Sequence, residues 1–363
     1  MGLHRDTEAD HGHLSRRAGH IITHYAIHSG SARSFVFGKR DPFTYAPNGY
    51  LHGEDCITSS RMRYYGRMKP FTERTPNYQY RQLLERIMNE GRDMMPIHGI
   101  GARSIVGHQI RYDLNNGFPL ITERDLTKTL PGALGEHIGF LNGARTLEDL
   151  RKYGMPAIFW DRWVTKEKCE TFGLPEGDLG DGSYGAAWGS FPTKEGAPFN
   201  QIAHVVRQIR ERPYLRTHFV SPWIPQYTLQ HEGLTRKVVV APCHGWIHIL
   251  TYPDTKELVI HHFQRSADVP IGVVSNIVQY AAFGMMLAQI IGYTMRELVH
   301  TFSDAHIYHN QFDSVKELIA REPRPFPTLT LDPTIKDIFD FRPTHFSLSD
   351  YDPHPKMVIP TAI

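Results

Sequence analysis

The sequence predicts an α+β fold, a mainly antiparallel sheet packed with helices. Three observations carry this. The runs "THFVSPW", "KVVVAPCHGWIHILTY" and "ELVIHHFQRS" are strand-like and follow one another at a spacing suited to antiparallel pairing. "NIVQYAAFGMMLAQIIGY" is apolar nearly all round and reads as a buried helix. Helices and strands interleave without a βαβ rhythm, which favours α+β over a doubly wound parallel sheet.

Taken in order, residues 1 to about 76 are rich in His, Arg, Gly and Ser and show few sustained apolar patterns. They read as an accessory, partly ordered extension ahead of the main domain over 77–363. "YQYRQLLERIMNEG" is an amphipathic helix with Gly91 as its C-cap. "RSIVGHQIRYDL" alternates like a strand pair. "LPGALGEHIGFLNG" opens on a proline and closes on a glycine, as a helix does, and "FNQIAHVVRQIRERP" is an amphipathic helix stopped by Pro213. "HIYHNQFDSVKELIAREPRP" reads as a further helix ended by its prolines. No internal repeat and no low-complexity block appears.

Composition bounds the function classes. Forty basic against 38 acidic residues leave a formal charge of +2, so bulk electrostatics does not point to a nucleic-acid partner. The 22 histidines would add positive charge below about pH 6.5. Three widely spaced cysteines, Cys56, Cys169 and Cys243, argue against a disulfide framework and for a reducing compartment. The polar N-terminus lacks a secretory pattern, and its Met-Gly start lacks the Ser or Thr of a myristoylation signal. No apolar stretch approaches the roughly 20 residues of a membrane span. A soluble, cytoplasmic protein is expected.

Several residues can carry chemistry. Cys243, between Pro242 and His244, is either a small buried hydrophobe or a nucleophile; an adjacent His or nearby Arg lowers a thiol pKa. Arg265 and Ser266, at a strand end, can bind an anion. Asn276, at the start of the apolar helix, can cap backbone or read a ring edge that carries both an acceptor and a donor, such as uracil. His306 and Tyr308 are either hydroxyl-binding groups or satisfied core polar groups. A metal site from Cys243, His244 and His248 is disfavoured, because strand alternation would put Cys243 and His244 on opposite faces.

"APCHGWIHILTY", "QRSADVPIGVVSNIVQYAAF", "DAHIYHNQ", "REPRPFP" and "DYDPHPKMVIPTAI" together resemble the thymidylate synthase family. So do "GHQIRYDLNNGFPL", "FWDRW", "DLGDGSYGAAWGSF" and "LRTHFVSPW", in family order from about Tyr78 onward. The resemblance implies folate-dependent one-carbon transfer to C5 of dUMP by an obligate homodimer with shared sites, using 5,10-methylenetetrahydrofolate and no metal. Cys243 would attack C6. Arg265, Ser266 and Gln264 would bind the nucleotide, with Arg216 reaching the phosphate from the partner subunit. Asn276 would read the base, and its amide favours uracil over cytosine. His306 and Tyr308 would bind the sugar hydroxyl. Glu136 would organise proton transfers through water, Tyr184 would assist loss of the C5 proton, and His244 would belong to the surrounding polar network. Asp268, Trp160, Trp163 and Gly272 would form the folate site, closed by Ala362 and Ile363 at the C-terminus. Small-molecule substrates are the expected partners, without membrane or nucleic acid.

The departures from the family pattern cluster around phosphate and folate. Ile97 and Thr217 stand where phosphate arginines are expected; His98, His218 and Lys128 are candidate substitutes. His248 replaces a glutamine, and Ser275 replaces a phenylalanine that lines the folate site. Glu136 sits in "GEHIGF", without the usual preceding histidine. Water access to an exocyclic methylene at C5 gives a hydroxymethyl product, whereas hydride from a stacked folate gives dTMP. Ser275 favours the first outcome, as in phage hydroxymethylases that supply modified DNA; Trp160 and the intact "PTAI" end favour the second. A non-catalytic nucleotide- or RNA-binding homologue is the reading from another class.

Overall fold

The computed structural model describes residues 68–95 and 99–362, all within one compact unit. The first 67 residues, together with Pro96, Ile97, His98 and Ile363, lie outside the described residues.

The chain enters through a short turn in which Arg74 is buried and donates to Phe326 O and Thr328 Oγ1. Helix α1 (Gln79–Glu90) buries Tyr80, Leu83, Leu84 and Ile87, an i, i+3, i+4, i+7 stripe. Gly91 does cap it, in extended rather than left-handed conformation. Glycine is needed there because a Cβ would overlap the Ile87 carbonyl. Strand β1 (Arg92–Met94) leads to β2 (Ala102–Asp113). The expected strand pair is therefore one long strand, bordered by β1 on one side.

Helices α2 (Leu130–Leu141), α3 (Leu147–Lys152), α4 (Lys166–Glu170), α5 (Tyr184–Gly189) and α6 (Gln201–Glu211) follow. Then come β3 (Phe219–Val220), α7 (Pro225–Thr228), β4 (Trp246–Tyr252) and β5 (Glu257–Asp268). Helix α8 (Val274–Ile291) connects to β6 (Thr294–Tyr308). Helix α9 (Phe312–Ala320) and a separate antiparallel pair, β7 (Thr328–Leu331) and β8 (Phe346–Ser349), complete the chain.

The main sheet has the order β1-β2-β6-β5-β4-β3. Its pairings are antiparallel except β5 with β6, which run parallel. Strand β5, helix α8 and strand β6 thus form one βαβ unit, which the absence of a repeating βαβ rhythm had concealed. The window Val269–Ile291 is also long and apolar enough to cross a membrane by length and composition, against the sequence expectation. It is 83% buried inside the protein, against the sheet, α2 and α6, and serves as the core helix.

Two further expectations change. Cys243 and His244 lie in the irregular segment before β4, not within a strand. "HIY" belongs to the end of β6, so His306 and Tyr308 sit on a strand, one turn ahead of α9. The many histidines do not all act as surface charge. His137 and His244 are buried, and burial holds their pKa at about 3. His262 and His300 are fully buried and shifted the same way. These four remain neutral at acidic pH.

One buried carboxyl affects stability rather than the site. Glu123 is 2% exposed, accepts from Thr122 N–H, and leaves its other oxygen unpartnered. Burial raises its pKa from 4.5 to about 7. The folded state therefore holds this proton more tightly than the unfolded chain does. The stability tied to the neutral form is present below pH 4.5 and is lost as pH rises through 7. Glu123→Gln is expected to raise unfolding free energy by on the order of 3 kcal/mol at pH 8 and to leave it nearly unchanged at pH 4. Urea unfolding at the two pH values checks this; an equal change at both would refute the assignment.

Candidate active site

Parallel pairing brings the C-terminal ends of β5 and β6 to the same edge of the sheet. Ser266 pairs with Asp304 and Asp268 with His306, while antiparallel β2 sets Ser104 beside His306. Asp304 becomes the hub. It accepts from Ser266 Oγ at 2.9 Å and Ser104 Oγ at 2.7 Å, and pairs with His306 Nδ1 at 3.0 Å. Its pKa lies below the usual carboxylate value: burial opposes ionisation, and the His306 and serine contacts outweigh it. Tyr308 stands edge-on to His306 at 5.0 Å between ring centres.

Cys243 is half-buried above this edge. Its carbonyl accepts the backbone N–H of Arg265 at 2.7 Å, and the Arg265 side chain donates to Pro242 O and Ala241 O. That anchoring holds guanidinium Nη2 3.5 Å from Cys243 Sγ. Burial pushes the thiol pKa up, and the Arg265 charge is the chief opposing influence. Tyr184 OH accepts the Cys243 N–H at 2.7 Å, and its ring stacks on His244 at 4.3 Å. Glycines allow these approaches. A Cβ on Gly185 would overlap the Ala144 carbonyl, and Gly245, at φ 100°, turns the chain immediately after His244.

A second polar group lies at the start of α8. Asn276 is 6% exposed, and the helix is not capped by it: its side chain accepts from Gln264 Nε2 at 3.0 Å and donates to Gln279 Oε1 at 3.0 Å. Gln279 Nε2 in turn donates to Glu136 Oε2 at 2.7 Å, and Trp160 Nε1 donates to Glu136 Oε1 at 2.5 Å. Burial raises the Glu136 pKa, and these two donors work against it. Gly272 lies beside this group, with Asn276 Oδ1 the nearest neighbour of the space a Cβ would take. His244 Nδ1 hydrogen-bonds Tyr280 OH at 2.5 Å, joining the Cys243 loop to α8.

A family model described as Thymidylate synthase matches residues 78–363. The chain belongs to the thymidylate synthase family. Its chemistry is accordingly that of a one-carbon transferase acting at C5 of dUMP with methylenetetrahydrofolate. The family-like positions Cys243, Tyr184, His244, Arg265, Ser266, Gln264, Asn276, Glu136, Trp160, His306 and Tyr308 converge through the contacts just described.

Other positions lie further out. Asp268 is reached by Gln311 Nε2, 3.3 Å from each carboxylate oxygen, and burial raises its pKa to about 6. The same Gln311 donates to Pro360 O at 3.0 Å, which ties the C-terminal segment across Asp268 and leaves Ala362 buried. Trp163 is half-buried with Lys168 Nζ over its ring at 4.8 Å. Arg216 is exposed, and its carbonyl pairs with His248 Nε2 at 3.0 Å. His218 is no phosphate ligand. It is fully buried against Gln208, and burial lowers its pKa. Lys128 is exposed.

Sequence reasoning missed Gln279, Asp304, Ser104, Tyr280 and Gln311. Gln279 had one signal: a polar residue three positions after Asn276 in an otherwise apolar helix shares its face. Arg265→Met is expected to raise the Cys243 pKa and slow its alkylation by iodoacetamide at pH 7.5 by about tenfold. Peptide mass spectrometry, following the Cys243 peptide separately, reads the rate; an unchanged rate would remove Arg265 from thiol activation.

Proposed function

We propose that Cys243 Sγ adds to C6 of dUMP, that C5 then captures the one-carbon unit, and that the favoured product is 5-hydroxymethyl-dUMP. The single observation that carries the covalent step is the Arg265 guanidinium held 3.5 Å from the only described thiol at the site. Methylenetetrahydrofolate supplies the carbon. Tyr184 and the Glu136 carboxylate stand on the Cys243 and Asn276 sides, suited to removal of the C5 proton. Loss of tetrahydrofolate leaves an exocyclic methylene. Hydroxide addition there, with release of Cys243 from C6, completes the hydroxymethyl group and returns the thiolate.

The donor set fits a folate. Asp268 is a half-buried carboxylate that accepts from Gln311 Nε2 and the Ile271 backbone N–H, and its two oxygens can accept further N–H groups from a pterin. The aromatic wall is reduced by Ser275, which is half-buried next to Asn276 and admits water more readily than an aromatic ring. A specific observation favours the second reading, dTMP synthesis: Trp160 is buried and engaged with Glu136, so part of the folate wall is retained.

Homodimerisation is part of this proposal. Trp246, His248 and Leu250 of β4 face away from the core, opposite Ile247 and Ile249. Trp223, Trp246 and Phe263 form a continuous aromatic patch, with ring centres 5.9 and 5.7 Å apart, and Arg265 lies over Trp223. Phe219 and Tyr252 are each 51% exposed. A second copy covering this patch would bring an exposed Arg216 to the neighbouring site. A cytoplasmic enzyme is part of the same proposal.

Incubation with dUMP and methylenetetrahydrofolate is expected to yield a product heavier by one methylene unit plus one oxygen, with tetrahydrofolate released. Mass spectrometry decides; a gain of one methylene with stoichiometric dihydrofolate would establish dTMP synthesis instead. Cys243→Ala is expected to lower turnover by at least about 10³-fold. Binding of dUMP without turnover in the parent protein, unaffected by that substitution, would favour the non-catalytic homologue. Phe263→Asp is expected to shift sedimentation from dimer to monomer.

A further inference from the structure

Resting on the dUMP reading above, we propose that Gln279 is a positioning residue that fixes the direction of the Asn276 amide and thereby sets the choice of uracil over cytosine. The argument is one of donor and acceptor accounting. Gln279 Nε2 has two hydrogens: one goes to Ala133 O at 3.1 Å, which can only accept, and the other to Glu136 Oε2 at 2.7 Å, which accepts while the carboxyl is ionised. Its orientation is therefore settled, and Oε1 must face Asn276. Asn276 Nδ2 supplies the donor that Oε1 needs.

The other end of Asn276 is held independently. Gln264 Nε2 donates to Ser266 O at 3.1 Å and to Asn276 Oδ1 at 3.0 Å, while His300 Nε2 donates to Gln264 Oε1 at 2.9 Å. Gln264 and Gln279 are fully buried, so no bulk water replaces a lost partner. Asn276 keeps one free N–H and one free lone pair, arranged for a ring that offers a carbonyl and an N–H. Cytosine reverses the pattern: its exocyclic amino group at C4 donates and its bare ring nitrogen N3 accepts. To receive it, the amide must turn over. Nδ2 would then meet Gln264 Nε2, and Oδ1 would meet Gln279 Oε1, spoiling two buried hydrogen bonds at once. With Gln279 gone, only the Gln264 side resists the turn.

The same contact makes Glu136 the reference for base reading, since the Gln279 orientation depends on an accepting carboxylate. The titratable groups that feel its charge are Tyr184 and Tyr280, both buried phenols shifted upward.

The test measures dissociation constants for dUMP and dCMP by calorimetry, and the pH profile of dUMP turnover, for the parent protein, Gln279→Met and Gln279→Glu. Gln279→Met is expected to narrow the dUMP preference by at least about fivefold, because half of the restraint on the amide is lost. Gln279→Glu keeps an acceptor towards Asn276, so the preference is expected to stay within about twofold of the parent. Its carboxyl must share one proton with Glu136, which is expected to move the acidic limb of the turnover profile up by about one pH unit or more. An unaltered preference in Gln279→Met overturns the inference, as does an equal loss of preference in both variants, which would mark general damage. If Gln279→Met fails to fold, the near-isosteric Gln279→Glu decides: an acidic limb identical to the parent's refutes the Glu136–Gln279 contact and the inference with it. A parent protein that binds neither nucleotide overturns the dUMP reading itself.

Discussion

The parallel pairing of β5 with β6 is the constraint on which the site depends. In an antiparallel pair, the end of one strand meets the beginning of the next. Here the crossover through α8 returns the chain to the same starting edge, so both strands finish together. Arg265, Ser266 and Asp268 from one strand thus stand beside Asp304, His306 and Tyr308 from the other. A hairpin could not assemble that set. The connection demands a helix that is buried on nearly every side, and α8 meets that demand by being largely apolar, with polar side chains near its start and Gln289 near its end. Two of the early ones, Asn276 and Gln279, are where the core helix becomes part of the site.

Most of the elements were legible in the sequence because each had a local signature: a 3.6-residue apolar stripe in α1 and α6, a β-branched run in β4 and β5, prolines after α9. Strand pairing was not legible. Direction is decided by how a connection packs, and the α8 pattern alone says buried, not crossing over. Cys243 stood out through blocks in family order, not through "Pro-Cys-His". The polar partners escaped notice for a physical reason: Asp304 and Ser104 acquire meaning only through strand register, which joins positions 200 residues apart, and Gln311 only through the packing of the turn after β6 against Asp268 and the C-terminal segment. His218 shows the converse. Its position in the sequence suggested a phosphate ligand, yet the side chain turns inward to Gln208, because the neighbouring residues of β3 alternate in and out.

The interior beneath the site is unusually polar for a core. His137, His244, His262 and His300 lie near Tyr280, with His262 stacked on it at 3.6 Å and accepting the Gly245 N–H. Both nitrogens of His137 are without partners, as is one nitrogen each of His262 and His300. Unpartnered buried donors typically cost about 1–3 kcal/mol each. Such a cost is tolerable where the neutral rings do something packing alone would not. His262 holds the turn after His244, and His300 Nε2 gives the buried Gln264 Oε1 a partner.

That last link reaches the chemistry. A buried amide can point either way unless its neighbours distinguish oxygen from nitrogen, and a neutral histidine is a weak arbiter because its tautomer can change. A carboxylate cannot donate when ionised, and a backbone carbonyl never can. Anchoring the α8 glutamine on Glu136 and Ala133 O therefore gives the amide chain a fixed sense of direction from one end, and Ser266 O gives it from the other. Asn276 is held between two such references, one on α2 and one at the end of β5. Polarity in this core thus carries information about hydrogen-bond direction, which close packing of apolar groups cannot supply.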